Sequence, residues 1–426
     1  MKNFFCLLLA ILSVTITQAQ MSTDKLMQEA DAIESKVIEW RRYFHQNPEL
    51  SNREFNTAKK IAAHLESLGM EVQTDIAITG VVGVLKGNRP GKVLALRADI
   101  DALPVTERND LDFKSTVTTT FRGVETGVMH ACGHDTHIAI LMGVAEILSK
   151  NRDFPGTIKF IFQPAEEGAP PGEEGGAELM VKEGVLKNPD VDAIFGLHIS
   201  SMQPVGIIAY KPGGIMAASQ SFEITVKGKQ THGSQPWAGR DPIMSAVKII
   251  DGLQTIISRE SPLTQEAAVL SIGKISGGVR SNIIPEEVKI VGTLRTLDKD
   301  MQRFINKRMM EMVPAIAATY RTEATISIPK GYPITYNDPE LTAQMLPSLR
   351  KAAGIANVQE IKAITGAEDF SFFAEEVPGL YFFLGGMAPG GEQAYPHHTP
   401  DFKIDESGML LGVKAFLQLS MDYLNN

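Results

Sequence analysis

The chain has 426 residues, 43% of them hydrophobic and 21% charged, with a formal net charge of -9. This is ordinary globular composition, and the length exceeds what one hydrophobic core usually organises, so two domains are expected. The acidic balance and the lack of any Lys/Arg stripe argue against a nucleic-acid partner.

The first twenty residues differ from the rest. Lys2 supplies a positive start, Phe4 to Ile16 is an apolar run, and Thr17-Gln18-Ala19 resembles a small-residue cleavage site. The run falls short of the ~20 residues that span a bilayer. The reading is an exported chain, periplasmic or secreted, that loses residues 1–19 and is then not membrane-embedded. A membrane anchor or an amphipathic first helix is the alternative. Cleavage leaves Cys132 as the single cysteine, so no internal disulfide can form. Its thiol calls for burial, intermolecular pairing or a chemical role.

Leu26, Ala30, Ile33, Val37 and Trp40 recur at helical steps, and a second helical stretch runs from Thr57 to Leu68 before Gly69. Short apolar runs follow at Val81 to Leu85, Val93 to Leu96, Ile158 to Phe162 and Ala193 to Leu197, with a helical segment at Ile138 to Leu148. Near-continuous apolar strands separated by helices predict an α/β fold: a mostly parallel sheet with helices on both faces. Between about Gly213 and Lys330 the texture changes. Ser221 to Val226 and Val288 to Leu294 alternate like half-buried strands, Pro242 to Ile257 and Met301 to Tyr320 are helical, and Ala324 to Ile328 is strand-like. These predict an inserted α+β domain over 213–330, within a larger domain formed by 20–212 and 331–426. Leu380 to Leu384 resumes the sheet, and a helix from Glu406 to about Tyr423 closes the chain.

Four clusters sit just after a predicted strand or at the start of a helix: MHACGHDTH (129–137), QPAEEG (163–168), GLH ending at His198, and HHTPDF (397–402). In open α/β sheets such positions converge beyond the carboxyl ends of the strands. Taken singly, a histidine near a strand end, a Glu-Glu turn or a buried thiol has an ordinary structural explanation. Taken together they do not, because five of the nine histidines (His130, His134, His137, His397 and His398) fall in two of the clusters. With His198, Cys132 and the Glu pair they supply the N, O and S donors that zinc-like metals prefer. Cys132 and His134 are too close in sequence to share a helix face, so a turn must present them, with Gly133 allowing the bend and Asp135 available as an N-cap. A thiolate can bridge two metals. Adjacent carboxylates at 166 and 167 can divide two roles, one as ligand and one as base and later proton donor to a leaving amine. A site that only stored metal would have no use for the second.

Over essentially the whole mature chain, the sequence resembles the co-catalytic aminoacylase/carboxypeptidase family of metallopeptidases. It resembles most the branch of hippurate hydrolases and indoleacetyl-amino acid hydrolases. RADIDALP (97–104), MHACGHD, QPAEEG, GLH, QTHGSQPW (230–237), SNIIP (281–285), GTLR (292–295), GAEDF (366–370) and HHTPDF occur in the family's order. The resemblance implies a dinuclear-metal exopeptidase-like fold and two divalent metal ions per chain, Zn or Mn. Cys132 would bridge them, His134, Glu167, His198 and His398 would complete the shells, and Glu166 would be the base. His398 is preferred to His397 because it directly precedes Thr399-Pro400. Asp99 and Asp101 would support the site through hydrogen bonds or simply cap loops.

The inserted domain is implied to be a lid. Its His232 would polarise the scissile carbonyl, and Asn282 and Arg295 would receive the substrate carboxylate, Arg295 by a paired hydrogen bond; an ordinary strand salt bridge is the alternative for Arg295. A metal pair balanced by one thiolate and one carboxylate stays net positive and tolerates an anionic substrate. Two positions depart from the commoner pattern, Gly233-Ser234 after His232 and HHTP in place of HSP; both bear on acyl preference. The expected activity is hydrolysis of N-acyl amino acids of hippurate or N-acetyl type. Carboxypeptidase or dipeptidase action on small peptides is the second reading, and a non-catalytic metal- or metabolite-binding protein the third. The expected partner is a small molecule with a free carboxylate, and a lid edge strand could pair copies of the chain.

Overall fold

The computed structural model describes the backbone of residues 2–390 and 395–426, with side chains from residue 23 onward. The side chains behind the leader reading of residues 1–19 thus lie outside the described residues. No described helix is long and apolar enough to cross a membrane.

The chain divides into two compact units, one of Met1–Gly213, Asn337–Ile361 and Phe372–Asn426, the other of Gly214–Tyr336 and Lys362–Ser371. Residues 331–336 and 362–371, given on sequence to the larger domain, cluster instead with the second unit. Pairing decides this: Tyr332 bridges Ser219, and Ile364 bridges Met216.

The first unit is built on an eight-stranded sheet: β1 (Glu71–Ile76), β2 (Gly80–Lys86), β3 (Arg89–Asp99), β4 (Pro155–Gln163), β5 (Ala193–Ser200), β6 (Ile208–Tyr210), β7 (Val358–Glu360) and β8 (Gly379–Gly385). Their order is 1-2-4-3-5-8-6-7. The four central strands, β4, β3, β5 and β8, are parallel, while β1 and β2 add antiparallel. Every residue of β8 is buried, and all of β5 but its last. Such strands need apolar side chains on both faces, which is why they read as unbroken apolar runs. Helices α1 (Lys2–Gln46), α2 (Phe55–Ser67), α3 (His134–Lys150), α4 (Pro339–Ala353) and α5 (Met409–Asn425) flank the sheet. One core joins them, with Leu26, Val37 and Phe44 of α1, Ile138 and Leu141 of α3, and Phe416 of α5 all buried in it.

The second unit has an antiparallel sheet in the order Ala268–Gly277, Glu287–Thr296, Ala218–Lys227, Glu323–Ser327. Helices Pro242–Thr255 and Lys299–Thr319 pack against it around Phe222, Ile224, Ile249, Leu253 and Ile290. Both helices begin at an aspartate N-cap. Asp241 accepts from the Ile243 and Met244 N–H groups, and Asp298 from Met301 N–H at 2.7 Å. The longer helix then buries Met301, Ile305, Met309, Val313 and Ala317, a strict four-residue step.

One local expectation is corrected. Asp135 is not the N-cap of α3; Gly133 holds that position at φ 99° and no side chain caps it. Asp135 is instead buried in the first turn beside Arg41 Nε (2.8 Å) and His45 Nδ1 (2.9 Å). Burial pushes the Asp135 carboxyl up, but the Arg41 charge and the His45 contact outweigh it and hold the group below the usual range. A buried ion pair of this kind ties α1 to the start of α3. Arg41→Ala strands the Asp135 charge and is expected to lower the unfolding free energy by about 3 kcal/mol in denaturant titration; an unchanged midpoint would show the pair to be dispensable.

Candidate metal centre

The chemistry-bearing residues of the first unit come from the carboxyl ends of three adjacent parallel strands, from the turn before α3 and from the loop at 397–398 that follows β8. Asp99 ends β3, Gln163 ends β4 and leads into Glu166-Glu167, and His198 lies near the end of β5. At the turn, a Cβ on Gly133 would lie 2.4 Å from Ile199 Cγ2 at a positive φ, so only glycine presents Cys132 and His134 this way.

The donor atoms then converge. Cys132 Sγ lies 3.3 Å from His198 Nε2 and 3.2 Å from His398 Nε2. His398 Nε2 is also 3.1 Å from Glu167 Oε1. His134 Nε2 is 3.9 Å from Glu166 Oε2 and 4.0 Å from Glu167 Oε1. Two of the sets of three donors that result are Cys132/His134/His198 and Cys132/Glu167/His398, with the atoms of each within 4.8 Å of one another. These two sets share the sulfur.

Each imidazole in these sets meets the cluster with one nitrogen, and two of them are fixed by the other. His134 Nδ1 donates to the Asp101 carbonyl at 2.9 Å, and His198 Nδ1 to the Ile199 carbonyl at 2.6 Å. In the neutral rings both Nε2 atoms are thereby left as acceptors. Two other histidines of the motifs are already used. His137 donates through Nδ1 to Asp99 Oδ1 (2.5 Å) and accepts the Ile199 N–H at Nε2 (2.8 Å). His397 donates through Nδ1 to the Cys132 carbonyl (3.1 Å) and accepts the Ser201 N–H at Nε2 (3.1 Å). Of the adjacent pair, His398 therefore faces the sulfur and His397 braces its backbone. His130 is fully buried with neither ring nitrogen hydrogen-bonded, and burial takes its pKa down to about 4.

The residues fit divalent cations. His134 Nε2 is buried with no hydrogen-bond partner. Burial alone would lower the His134 pKa, yet the carboxylates of Asp99 and Asp101 raise it to about 10. Burial pushes the Cys132 thiol well up, and Glu167 and Glu166 add to the shift. A pocket this rich in negative charge draws in positive charge, and a cation would reverse the bias on the thiol.

Beneath the donors lies a set of supports, some of which sequence reasoning missed. Asp99 Oδ2 accepts from Arg97 Nη1, and Arg97 Nε donates to Gln163 Oε1, both at 2.7 Å. Asp101 Oδ2 accepts from Ser51 Oγ (2.7 Å) and from the Glu167 N–H (3.1 Å). Glu54, wholly buried, accepts from Thr79 Oγ1 (2.6 Å) and from the Ala165 N–H (2.9 Å). Burial, with Asp101 nearby, raises the Glu54 pKa to about 8. Ala165 has φ 53°, an unfavourable conformation for a residue with a Cβ, and Glu54 helps to impose it immediately before the glutamate pair. Nothing in the sequence marks Glu54; it reads as one more polar residue at a helix entrance.

The remaining candidates belong to the second unit. His232 is exposed on the short strand Thr231–His232, which pairs with Ile283–Ile284, and Gly233 N–H donates to the Asn282 carbonyl at 2.7 Å. His232 and Asn282 are thus brought together. Arg295 lies in Glu287–Thr296, opposite Ser219 and Val269. Val288, Ile290, Leu294 and Thr296 are buried on the helix side, so the alternation turns Arg295 to the other face. Burial lowers its pKa, and no acidic group pairs with it among the described residues. That removes the ordinary strand salt bridge as an explanation for this arginine.

The family model for peptidase family M20/M25/M40 matches residues 95–422. A thermostable carboxypeptidase of Saccharolobus solfataricus is 42% identical over 405 residues, 94% of this chain and 99% of that one. An IAA-amino acid hydrolase of Arabidopsis thaliana is 37% identical, over 99% of this chain and 94% of its own. Among solved structures, a dinuclear-metal-binding M20 peptidase of Bacillus subtilis superposes with a TM-score of 0.77 at 35% identity, covering 93% of this chain and 99% of that one. The chain belongs to peptidase family M20/M25/M40 and is a hydrolase acting on amide bonds.

The geometry makes Gly133 and Ala165 opposite cases. Gly133→Ala adds a clash to an unfavourable φ and is expected to cost about 2 kcal/mol or more, whereas Ala165→Gly relieves strain and is expected to change stability by less than ~1 kcal/mol. Thermal unfolding of the two variants checks this; equal midpoints would contradict it.

Proposed function

We propose that this hydrolase releases amino acids from N-acyl amino acids that carry a free carboxylate, using two divalent metal ions, zinc or manganese. The observation that carries the reading is the pair of donor sets sharing Cys132 Sγ, with Glu166 beside them. On this reading Cys132, His134 and His198 hold one ion, and Cys132, Glu167 and His398 hold the other. Ions there, when bound, supply Lewis acidity towards a water and the amide carbonyl.

The chain's own residues do the rest. The Glu166 carboxylate takes the proton of the attacking water and delivers it to the leaving nitrogen, so one residue serves as base and then as acid. His232 donates a hydrogen bond to the carbonyl oxygen as it gains charge. Arg295, half-buried and without an acidic partner, receives the substrate carboxylate in a paired hydrogen bond, with Asn282 as a second donor.

A second reading, carboxypeptidase or dipeptidase action through the same site, is favoured by the 42% identity to a carboxypeptidase. Peptide and acyl substrates both present an amide next to a terminal carboxylate, so the machinery serves either. N-acetyl, benzoyl and indoleacetyl amino acids, tested beside dipeptides, separate the two readings. Release of amino acid from the acylated set supports the first, and cleavage of dipeptides alone supports the second.

Glu166→Gln is expected to keep the metal and lose about a thousandfold in kcat; full turnover would sink the proton-transfer role. His398→Ala is expected to bind one metal fewer per chain than His397→Ala, measured by elemental analysis after dialysis; equal contents would move the ligand assignment. The same reading has the chain exported with residues 1–19 removed, so intact mass should show Gln20 first. It also has copies pairing through the edge strand Ala268–Gly277, where Val269 and Ile275 are exposed; a monomer in light scattering would remove that part.

A further inference from the structure

The His232 loop contains a device that the reading above does not use. His232 Nδ1 lies 3.0 Å from the backbone N of Ser234 and 2.7 Å from Ser234 Oγ. The backbone N–H can only donate. A ring nitrogen that accepts it has its lone pair in the ring plane and carries no proton. The hydroxyl converges on the same nitrogen and, as a donor, reinforces the arrangement. In the neutral ring the proton must then sit on Nε2.

We propose that Ser234 is a positioning residue that fixes His232 as the Nε2–H tautomer and holds its ring in place. His232 then offers a hydrogen-bond donor, not a lone pair, to its substrate. This rests on the reading of His232 as the carbonyl-polarising group, and it explains why a side chain in an exposed loop can serve in that role. A free imidazole exchanges its proton between nitrogens and turns about its bonds to Cα and Cβ. Donation to a developing oxyanion requires one tautomer in one orientation.

The loop itself is held by other means. Gly233 N–H donates to the Asn282 carbonyl, and a Cβ on Gly233 would meet the Asn282 backbone at 3.0–3.1 Å. Gln235 N–H donates to the His232 carbonyl at 2.8 Å. Neither contact touches the imidazole. The loop fold therefore survives loss of the Ser234 hydroxyl, while the ring loses one of the two donors that hold it.

The test uses zinc-loaded protein with 15N-labelled histidine, in which long-range proton–nitrogen correlations report the protonation of each ring nitrogen. The His232 signals are assigned by their loss in His232→Gln. In the wild type, Nδ1 is expected to be unprotonated and Nε2 protonated. Ser234→Ala keeps the backbone N–H and loses only the hydroxyl, so it should move both nitrogens part of the way towards the averaged positions of an exchanging ring. It should also lower kcat about fivefold, the loss of one hydrogen bond, with KM little changed. Ser234→Thr, which keeps a hydroxyl, should restore the spectrum and the rate. A proton on Nδ1 in the wild type, or Ser234→Ala with unchanged spectrum and unchanged kcat, overturns the proposal. If the tautomer is as stated but His232→Gln retains full turnover, the positioning stands and the role given to His232 falls instead.

Discussion

The first unit is organised around one sulfur atom. Cys132 Sγ is common to both donor sets, and the surrounding imidazoles and carboxylates are placed by reference to it. A buried thiol flanked by Glu166, Glu167 and Asp99 is an unfavourable neighbour for negative charge, as the upward push on its pKa shows. Left to itself, such a cluster would protonate or spread apart. Its close packing makes physical sense when cations share the space, and their charge then turns mutual repulsion into common attraction. The rest of the unit can be read as the means of keeping these groups close while they await that charge.

Those means are mostly backbone and buried polar groups. Carbonyls at 101 and 199 orient two imidazoles, and backbone N–H groups occupy His137 and His397 so that they brace and do not compete as donors. The Asp101 and Glu54 carboxylates grip the loop at 167 and 165 through its N–H groups, which aims the glutamate pair with little side-chain freedom. The turn before α3 is steeper than any side chain at position 133 would allow. The Arg41–Asp135 pair anchors that turn to α1. Strain at Ala165 is local, and the surrounding parallel strands are buried and rigid enough to sustain it.

Much of this was legible in the sequence. Unbroken apolar runs gave away the central strands because both of their faces are covered, and the four-residue apolar step gave away the helix at 299–319. The donor clusters stood out because histidine is scarce in this chain and was concentrated in short segments. What stayed hidden has a common cause. Glu54 acts on a residue 111 positions away and Arg41 on one 94 positions away, and a lone charged residue on a helix carries no mark of the partner it will meet. The adjacent His397 and His398 could be told apart on sequence only by their neighbours, whereas the backbone contacts of His397 make the distinction physically. Asp135 looked like an N-cap since it stands in the right place for one; tertiary ion pairing outweighed the local role. For Arg295, an ordinary salt bridge and a ligand-ready guanidinium look identical until the facing side chains are known.

The most direct measurement of the shared-sulfur arrangement is X-ray absorption at the metal edge of the zinc-loaded protein, with metal content determined on the same sample. Two metals per chain, with sulfur in the average coordination shell at one per metal, are the expected result, and Cys132→Ser should remove the sulfur signal entirely. Half that sulfur content, or a single metal per chain at saturation, would mean that Cys132 serves one ion only and would contradict the organising role given to it here.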